Sequence, residues 1–488
     1  MKTIILSLLL AIVLGTGCNQ KQPNEVANDI AAIENGLLPA IQVKDDPVIR
    51  YNIIERMKFH KVPGASIAVV KDGKIAWAQG YGISNTNNGS EVTVSTLFQA
   101  GSISKPLAAL SALKLVEEGL IDLDKDVNTY LKDWQVPDSE FTREEKVTLR
   151  RLLTHTAGMT VHGFPGYEQS DSFPSITTVL EGGGNTDRIY VDTIPGSIWR
   201  YSGGGYTVME KMVEDISGLP LEEYMTINIL GPMAMKNSTY EQPLGDSYHE
   251  NASAAYDVEG NIIVGLWHNY PEQAAAGLWT TPTDLAKYCL EIQNIVAGKS
   301  DGVLKQETVE MMLTKSKNDW GLGPSLAWAG DSLRFQHGGK NAGFTNNMIA
   351  FAKRGDAIIV MTNADNGGKL NGEIIRAVSS YYGWGISSSR VVETIYLPVE
   401  KLNSFAGKYK LDFQVPDIGD YFIEVTVKDN KLVVYDPNNS ETNILAALED
   451  LKFIDLVTGD KVEFQISEET GKKGVLFNGR FQFNSVED

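Results

Sequence analysis

A serine and a lysine three positions apart give this sequence its clearest chemical signal. They lie in the segment Gly101-Ser102-Ile103-Ser104-Lys105, which has S-x-x-K spacing. A serine hydroxyl is a weak nucleophile at neutral pH and needs a neighbouring base. In a helix Lys105 would lie about 60° around the axis from Ser102, so the two side chains share nearly the same face. The segment therefore predicts a serine nucleophile with a lysine as its proton-transfer partner.

A second S-x-x-K, at Ser111 and Lys114, shows that the spacing alone is weak evidence. Pro106 has no N–H and its ring would clash with a helical carbonyl four residues earlier, which predicts a helix that begins near Ser102. Free N–H groups and the positive end of the helix dipole at that terminus would stabilise an oxyanion. Ser111 falls in mid-helix, where a packing or surface role is the simpler interpretation. Ser102 by itself is equally consistent with an ordinary helix cap.

Two glycine-rich segments downstream add further groups. Tyr201 precedes the run Ser202-Gly203-Gly204-Gly205, where its phenol could donate a hydrogen bond or transfer a proton. His337-Gly338-Gly339-Lys340 leads into the strand-like run 348–351, and successive glycines let another backbone approach a strand closely. Taken singly, the segments also fit an aromatic residue beside a turn and a tight connection between strands.

In this order the segments resemble the family of class C β-lactamases, serine D,D-peptidases, D-aminopeptidases and β-lactamase-like esterases. The family pattern S-x-x-K, Y-x-N and K/H-x-G is matched by Ser102 with Lys105, by Tyr201, and by His337 with Gly339. The resemblance spans roughly residues 50–385. Supporting stretches that also resemble the family are 152–159, 231–233 and 276–285.

The resemblance implies a serine hydrolase that forms an acyl-enzyme on Ser102. Lys105 and Tyr201 would share the proton transfers, and either could be the base in acylation. The oxyanion would be held by the backbone N–H groups of Ser102 and Lys340. The substrate-binding strand would comprise His337, Gly338, Gly339 and Lys340. No cofactor is implied, and the scattered histidines, His155 and His162 included, show no metal-binding spacing.

Two departures from the family pattern bear on the substrate. Gly203 stands where the family has an asparagine, and Gly338 where a hydroxyl-bearing residue is common. A site without those two hydrogen-bonding side chains discriminates less against substrates that lack the matching group. We therefore expect an esterase or a D-amino-acid peptidase, unless Lys340 or Arg334 supplies a charge for a carboxylate. The alternatives are a β-lactamase or D,D-carboxypeptidase, and a penicillin-binding or sensor protein that acylates without turnover.

The ends of the chain and its charge indicate where it works. Residues 1–18 combine a positive start, a short apolar run and small residues before Cys18, which resembles a lipoprotein signal peptide. We expect an exported protein anchored to a membrane through a lipid on Cys18, with residues 19–45 as a tether. The only other cysteine, Cys289, then has no intramolecular disulfide partner and is expected to be buried. The net charge of −19 argues against nucleic-acid binding and leaves a small-molecule or peptide substrate.

The pattern of predicted elements divides the rest of the chain. Strand-like runs around Lys71-Asp72-Gly73-Lys74 predict a hairpin, and strands at both ends of 46–385 with helices between them predict an α+β domain. This would be a β-lactamase/transpeptidase-like domain, an antiparallel sheet flanked by helices plus an all-helical part. After a linker at 386–395, short alternating strands over 396–488 predict a small antiparallel, lipocalin-like barrel or a sandwich. The oligomeric state stays open.

Overall fold

The computed structural model describes residues 23–329, 332–415, 419–438, 441–466 and 472–486. The signal peptide predicted for residues 1–18 and the lipidation site predicted at Cys18 lie outside these residues. None of the helices in the described part of the chain is long and apolar enough to cross a membrane.

A seven-stranded sheet forms the centre of the fold. Its strand order is β4-β3-β2-β10-β9-β8-β7, and all neighbouring pairs are antiparallel, as predicted. The strands of this part of the chain are β1 (Ile41–Val43), β2 (Gly64–Lys71), β3 (Lys74–Asn85), β4 (Ser90–Glu91), β5 (Phe98–Gln99), β6 (Trp279–Thr280), β7 (Ser325–Ala329), β8 (Ser332–Asn341), β9 (Phe344–Phe351), β10 (Ala357–Thr362) and β11 (Arg390–Val392).

Helices cover both faces of the sheet. The helices are α1 (Pro23–Glu34), α2 (Ile53–Phe59), α3 (Ser104–Glu117), α4 (Leu149–Leu153), α5 (Ile176–Leu180), α6 (Gly203–Ser217), α7 (Leu221–Met225), α8 (Pro282–Val296), α9 (Gln306–Met312), α10 (Gly367–Tyr381) and α11 (Val399–Asn403). Helix α8 packs against β2 and β10 in one apolar core, and α10 packs against β9 and β10 in another. Helices α3 to α7 build the all-helical part.

Strand β2 shows why the sheet lies between two layers. Alternate side chains of a strand point to opposite faces. Ile67 and Val69 belong to the core shared with α10, whereas Ala68 and Val70 belong to the core shared with α8. The predicted hairpin to β3 is confirmed, since Asp72 and Gly73 have φ values of 52° and 75°, the left-handed pair that a tight two-residue turn requires.

The helix that carries the predicted nucleophile begins where the sequence indicated. A 3₁₀ turn, Gly101–Ile103, leads directly into α3, so Ser102 lies at the N-terminus of one helical segment. The segment ends at Glu117, and Gly119 follows with a φ of 74°. Ser111 lies in the middle of α3, fully buried, and its hydroxyl donates to the Ala108 carbonyl. The second S-x-x-K serine is thus a packing residue.

The tether prediction for residues 19–45 is wrong from residue 23 onwards. Helix α1 packs on α10, where Tyr381 donates a hydrogen bond of 2.7 Å to Asp29. Ile33 and Leu37 are buried in the core next to α10, and this burial stabilises the segment. The predicted linker 386–395 also contains structure, since β11 pairs in parallel with β1.

The C-terminal region forms a closed barrel of eight antiparallel strands, which confirms the barrel rather than the sandwich. Aromatic side chains fill its core, among them Phe405, Tyr409, Phe453 and Phe464. The strands are β12 (Gly407–Leu411), β13 (Phe422–Lys428), β14 (Lys431–Asp436), β15 (Glu441–Ala447), β16 (Lys452–Asp455), β17 (Lys461–Ile466), β18 (Lys473–Phe477) and β19 (Phe481–Ser485).

Candidate active site

Ser102 and Lys105 meet at the N-terminus of α3. One helical turn separates them, and Lys105 Nζ lies 3.0 Å from Ser102 Oγ. The same Nζ donates a second hydrogen bond of 2.7 Å to the carbonyl of Ala275. The lysine is therefore held in place from two sides, with its nitrogen directed at the serine hydroxyl.

The electrostatic setting of Lys105 suits it to accept a proton. Its side chain is 2% exposed, and this burial lowers the pKa of the amine to about 7. No carboxylate among its described hydrogen-bond and ion-pair partners opposes that shift. A lysine with such a pKa is roughly half neutral at pH 7, whereas an ordinary lysine is almost wholly charged.

A buried acid holds the turn that contains the Ala275 carbonyl. Residues Gln273–Gly277 form a single helical turn, and Glu210 of α6 accepts a hydrogen bond of 2.7 Å from the Ala274 N–H in that turn. Burial raises the pKa of Glu210 well above its usual range, and the backbone N–H groups that it accepts from oppose the rise. A continuous chain of contacts thus runs from Glu210 through this turn to Lys105.

Tyr201 precedes the N-cap of α6 and faces the same pair. The Lys105 Nζ lies 5.0 Å from the centroid of the Tyr201 ring. The Tyr201 hydroxyl is buried and has no hydrogen-bond partner within 3.5 Å among the described residues. Burial raises the pKa of Tyr201, and the nearby Ser102 hydroxyl opposes the rise. The phenol therefore keeps its proton and can donate it.

His155 packs against the ring of Tyr201. The two ring centroids are 4.2 Å apart, and His155 Nδ1 accepts a hydrogen bond of 3.1 Å from the N–H of Ser202, next to the tyrosine. Burial and the nearby Lys105 lower the pKa of His155 far below its usual value, so the imidazole is neutral. At the sequence level His155 is only a histidine without metal-binding spacing. Its ring contact with Tyr201, at an interplanar angle of 35°, is a positioning contact that the spacing did not indicate.

Strand β8 forms the opposite wall of the site. His337 is buried, and its Nδ1 lies 2.5 Å from the Gly338 carbonyl oxygen. Because a carbonyl only accepts, Nδ1 carries the proton and donates the hydrogen bond. Burial, with the charge of Lys105 as a second cause, lowers the pKa of His337 to about 3. The imidazole is thus neutral, and its buried Nε2, which has no partner among the described residues, is a free acceptor near Tyr201.

Two glycines allow β8 to approach the nucleophile. A Cβ atom on Gly339 would lie 1.9 Å from the Ala100 carbonyl oxygen, and one on Gly101 would lie 2.6 Å from the Lys340 backbone nitrogen. Only residues without a Cβ fit at this distance. The Lys340 backbone nitrogen therefore lies against Gly101, the residue before Ser102, in the region where an oxyanion donor is needed.

These groups open into one cleft of about 800 Å³. Apolar and small side chains form much of its wall, and His162 also lines it, with its ring centroid 4.9 Å from that of Tyr201. The lining residues include Ser102, Lys105, Phe164, Pro165, Trp199, Tyr201, Ala275, Ala276, His337, Gly338, Gly339, Lys340, Ala342, Thr345 and Asn347. The predicted residues Ser102, Lys105, Tyr201 and 337–340 thus all meet here. No group of three metal-ligating side chains occurs in the part of the chain that the structure describes.

An aromatic ring occupies the space beside Gly203. A Cβ atom there would lie 2.8 Å from Cε2 of Phe164, so a side chain at position 203 would collide with this ring. The amide that the family pattern provides is therefore replaced by an apolar surface. Phe164 carries no motif, and the sequence alone did not indicate its place in the cleft.

The two cations considered for a substrate carboxylate are both engaged elsewhere. Lys340 Nζ lies 3.5 Å from Asp365 Oδ1. Arg334 directs its guanidinium at the carbonyls of Trp328 and Ile386, and it is not among the residues that line the cleft. Lys340 thus has an ion-pair partner in Asp365, and Arg334 lies outside the cleft.

A serine beside a lysine with a lowered pKa, next to an antiparallel sheet with helices on both faces, is the arrangement expected of a β-lactamase-type fold. Comparison with known proteins agrees. A sequence model of the beta-lactamase family matches residues 49–381. The chain therefore belongs to the beta-lactamase family, which includes serine hydrolases and penicillin-binding-protein homologues.

Individual relatives are distant. "Putative penicillin-binding protein PbpX" of Bacillus subtilis (strain 168) is 27% identical over 62% of this chain and 71% of its own length. "Protein flp" of Staphylococcus aureus (strain MW2) is 25% identical over 50% of this chain, and the match spans only 45% of that protein. Among solved structures, an octameric penicillin-binding protein homologue from Pyrococcus abyssi superposes with a TM-score of 0.59 at 23% identity, over 89% of this chain and 98% of its own. That last likeness shows the fold alone.

Proposed function

We propose that this protein is an exported serine hydrolase that forms an acyl-enzyme on Ser102 and hydrolyses small esters or amides. The observation that carries the proposal is the contact of 3.0 Å between Lys105 Nζ and Ser102 Oγ, made by an amine whose pKa is about 7. A nucleophile within hydrogen-bond reach of a base that is partly neutral at the working pH is the requirement for covalent catalysis.

In the proposed acylation, Ser102 Oγ attacks the substrate carbonyl carbon while its proton passes to Lys105 Nζ. Lys105 is the better base of the two candidates, because Tyr201 has a raised pKa and holds its proton. The negative oxygen that forms would accept hydrogen bonds from the backbone N–H groups of Ser102 and Lys340.

The leaving group departs with a proton donated by the Tyr201 hydroxyl, and Lys105 returns a proton to the tyrosine. Water then attacks the acyl-enzyme carbonyl with loss of its proton to the same pair, and Ser102 leaves with a proton restored. The free acceptor at His337 Nε2 lies near Tyr201 and can hold a polar group or water there.

An ester or amide without a free carboxylate fits the cleft best. The walls near the nucleophile include Phe164, Trp199 and Pro165, and the two cations of this region are occupied by Asp365 and by backbone carbonyls. A buried carboxylate without a charged partner is costly to desolvate. This supports an esterase or D-amino-acid peptidase over a β-lactamase or D,D-carboxypeptidase.

The test is a pair of serine variants. Ser102→Ala should abolish turnover of a short-chain nitrophenyl ester and covalent labelling by a fluorophosphonate probe. Ser111→Ala changes the serine of the second S-x-x-K, which only packs within α3, and should keep both activities. Undiminished turnover by Ser102→Ala would disprove the assignment.

A second candidate is a penicillin-binding or sensor protein that is acylated but does not turn over. The name of one sequence relative favours it, since PbpX of Bacillus subtilis is described as a putative penicillin-binding protein. Burst kinetics with one activated ester separate the two functions. A single stoichiometric burst indicates the sensor, and continued release indicates the hydrolase.

We also propose that the protein is exported and held at a membrane by a lipid on Cys18. The support is the sequence of residues 1–18. Mass spectrometry of the mature protein should find an acylated N-terminal cysteine, and Cys18→Ser should release the protein from the membrane fraction. An unprocessed N-terminus would contradict the proposal.

A further inference from the structure

Asn347 occupies the place beside Gly338 where the strand lacks a side chain. It lies on β9, directly opposite Gly338 in the β8–β9 ladder, and it lines the cleft. Residues paired across two antiparallel strands project from the same face of the sheet. A Cβ atom on Gly338 would lie 3.6 Å from Asn347 Nδ2, which is ordinary van der Waals contact.

The orientation of the Asn347 amide follows from its neighbour. Asn371 on α10 is fully buried, and its Nδ2 donates to the Thr345 carbonyl at 3.0 Å and to Asn347 Oδ1 at 3.3 Å. A backbone carbonyl can only accept, so the amide atom of Asn371 that contacts Thr345 must be the nitrogen. The same nitrogen also contacts Asn347, and the atom that accepts there must be the Asn347 oxygen. The Nδ2 donor of Asn347 is therefore the atom that faces Gly338 and the cleft.

The two nearby cations have partners of their own. Lys340 is paired with Asp365, and Arg334 is bound to two carbonyls outside the cleft. A neutral amide N–H satisfies a neutral acceptor, such as the carbonyl of an amide or ester. It compensates poorly for desolvating a carboxylate.

We propose that Asn347 is the specificity-determining residue of the cleft, and that its Nδ2 recognises a second, uncharged carbonyl of the substrate next to the one that Ser102 attacks. This inference rests on the proposed acyl transfer by Ser102. The substrate class it names is that of N-acylamino esters or amides and similar molecules with two neutral carbonyls. Asn347 thus presents a hydrogen-bond donor at the place where residue 338 has no side chain.

The test compares two nitrophenyl esters, an N-acetylamino-acid ester and a simple butyrate that lacks the second carbonyl. The unaltered protein should prefer the first. Asn347→Ala should lower the ratio of their kcat/KM values by about 5- to 10-fold, the loss of one hydrogen bond. Asn347→Asp keeps the size of the side chain but replaces the donor by an acceptor, and should lower the ratio further.

A rescue variant distinguishes recognition from a structural role. Gly338→Ser, added to Asn347→Ala, places a hydroxyl in the open space beside residue 347 and should restore much of the ratio. An unchanged ratio in Asn347→Ala, or no rescue by the serine, would overturn the inference while ester hydrolysis itself remains. If the unaltered protein hydrolyses neither ester, the proposed function fails first and this inference fails with it.

Discussion

Gly339 and Ala100 are packed so closely that a Cβ atom at position 339 would stand 1.9 Å from the Ala100 carbonyl oxygen. This contact brings β8 against the turn that carries Ser102. The neighbouring Gly338 has no such restriction, because the nearest atoms to a Cβ there are 3.6 and 3.8 Å away. Two adjacent glycines of one strand thus serve different purposes, one for packing and the other for space in the cleft.

Gly339→Ala should destabilise the protein, whereas Gly338→Ala should not. The added methyl group at 339 must push β8 away from the nucleophile, and overpacking of this kind costs about 1–3 kcal/mol in the free energy of unfolding. The variant should also lose acylation, since the Lys340 N–H moves with the strand. Thermal unfolding and fluorophosphonate labelling of the two variants measure this, and equal unfolding temperatures would contradict it.

The pH dependence of kcat/KM should report the deprotonation of Lys105. Burial lowers the pKa of this amine from its ordinary value of 10.5 to about 7, so the fraction of neutral base rises as the pH passes through that value. Activity should therefore rise through about pH 7 and level off above it, and fall below it as Lys105 gains a proton. A nitrophenyl ester assayed across this range is the measurement. A profile without a rising limb near pH 7 would exclude Lys105 as the base.

Tyr201→Phe should impair catalysis without weakening the fold. The buried Tyr201 hydroxyl has no hydrogen-bond partner within 3.5 Å among the described residues, and its polar neighbour is the Ser102 hydroxyl of the site itself, so its removal leaves no structural group unsatisfied. Loss of its proton transfer should lower kcat by about 10²- to 10⁴-fold. Thermal unfolding provides the control, and an unfolding temperature that falls together with the activity would indicate a structural role instead.

Gly338→Thr should raise activity on substrates with a free carboxylate. The position is open, and a hydroxyl there adds a donor of the kind that the family pattern commonly has. One hydrogen bond to a charged group contributes about 1.5–3 kcal/mol, or roughly tenfold or more in rate. A panel of ester, D-amino-acid amide, cephalosporin and D-Ala-D-Ala substrates tests this. Strong activity of the unaltered protein on cephalosporins or on D-Ala-D-Ala substrates would reverse the proposed preference for substrates without a free carboxylate.

Glu210 should act on catalysis through the turn at 273–277. Glu210→Leu removes the acceptor that holds the Ala274 N–H, and the Ala275 carbonyl is then free to move away from Lys105. Because that carbonyl stabilises the ammonium form, its loss should shift the rising limb of the pH profile to lower pH. Glu210→Gln keeps an oxygen acceptor for the Ala274 N–H and nearly the same side-chain shape, so it should keep the profile. A shift of equal size in both variants would contradict this role.

Much of the fold follows from local sequence. The left-handed pair Asp72 and Gly73 fixed one hairpin, and Pro106 fixed where the helix of Ser102 begins. The N-terminal segment shows the opposite case. Its polar residues indicated a tether, but Ile33 and Leu37 are buried on the core next to α10. That burial depends on a partner surface more than 300 residues away in the chain, which no local pattern reveals.

The sequence by itself determined which groups could do chemistry, because S-x-x-K spacing on a helix and glycines on a strand have direct geometric consequences. The tertiary structure decided their protonation and their surroundings. The low pKa of Lys105 arises because several elements together bury it. The ion pair of Lys340 with Asp365 and the hydrogen bond from Asn371 that orients Asn347 join segments that meet only in the folded chain. Desolvation and hydrogen-bond direction depend on neighbours in space rather than on neighbours in sequence.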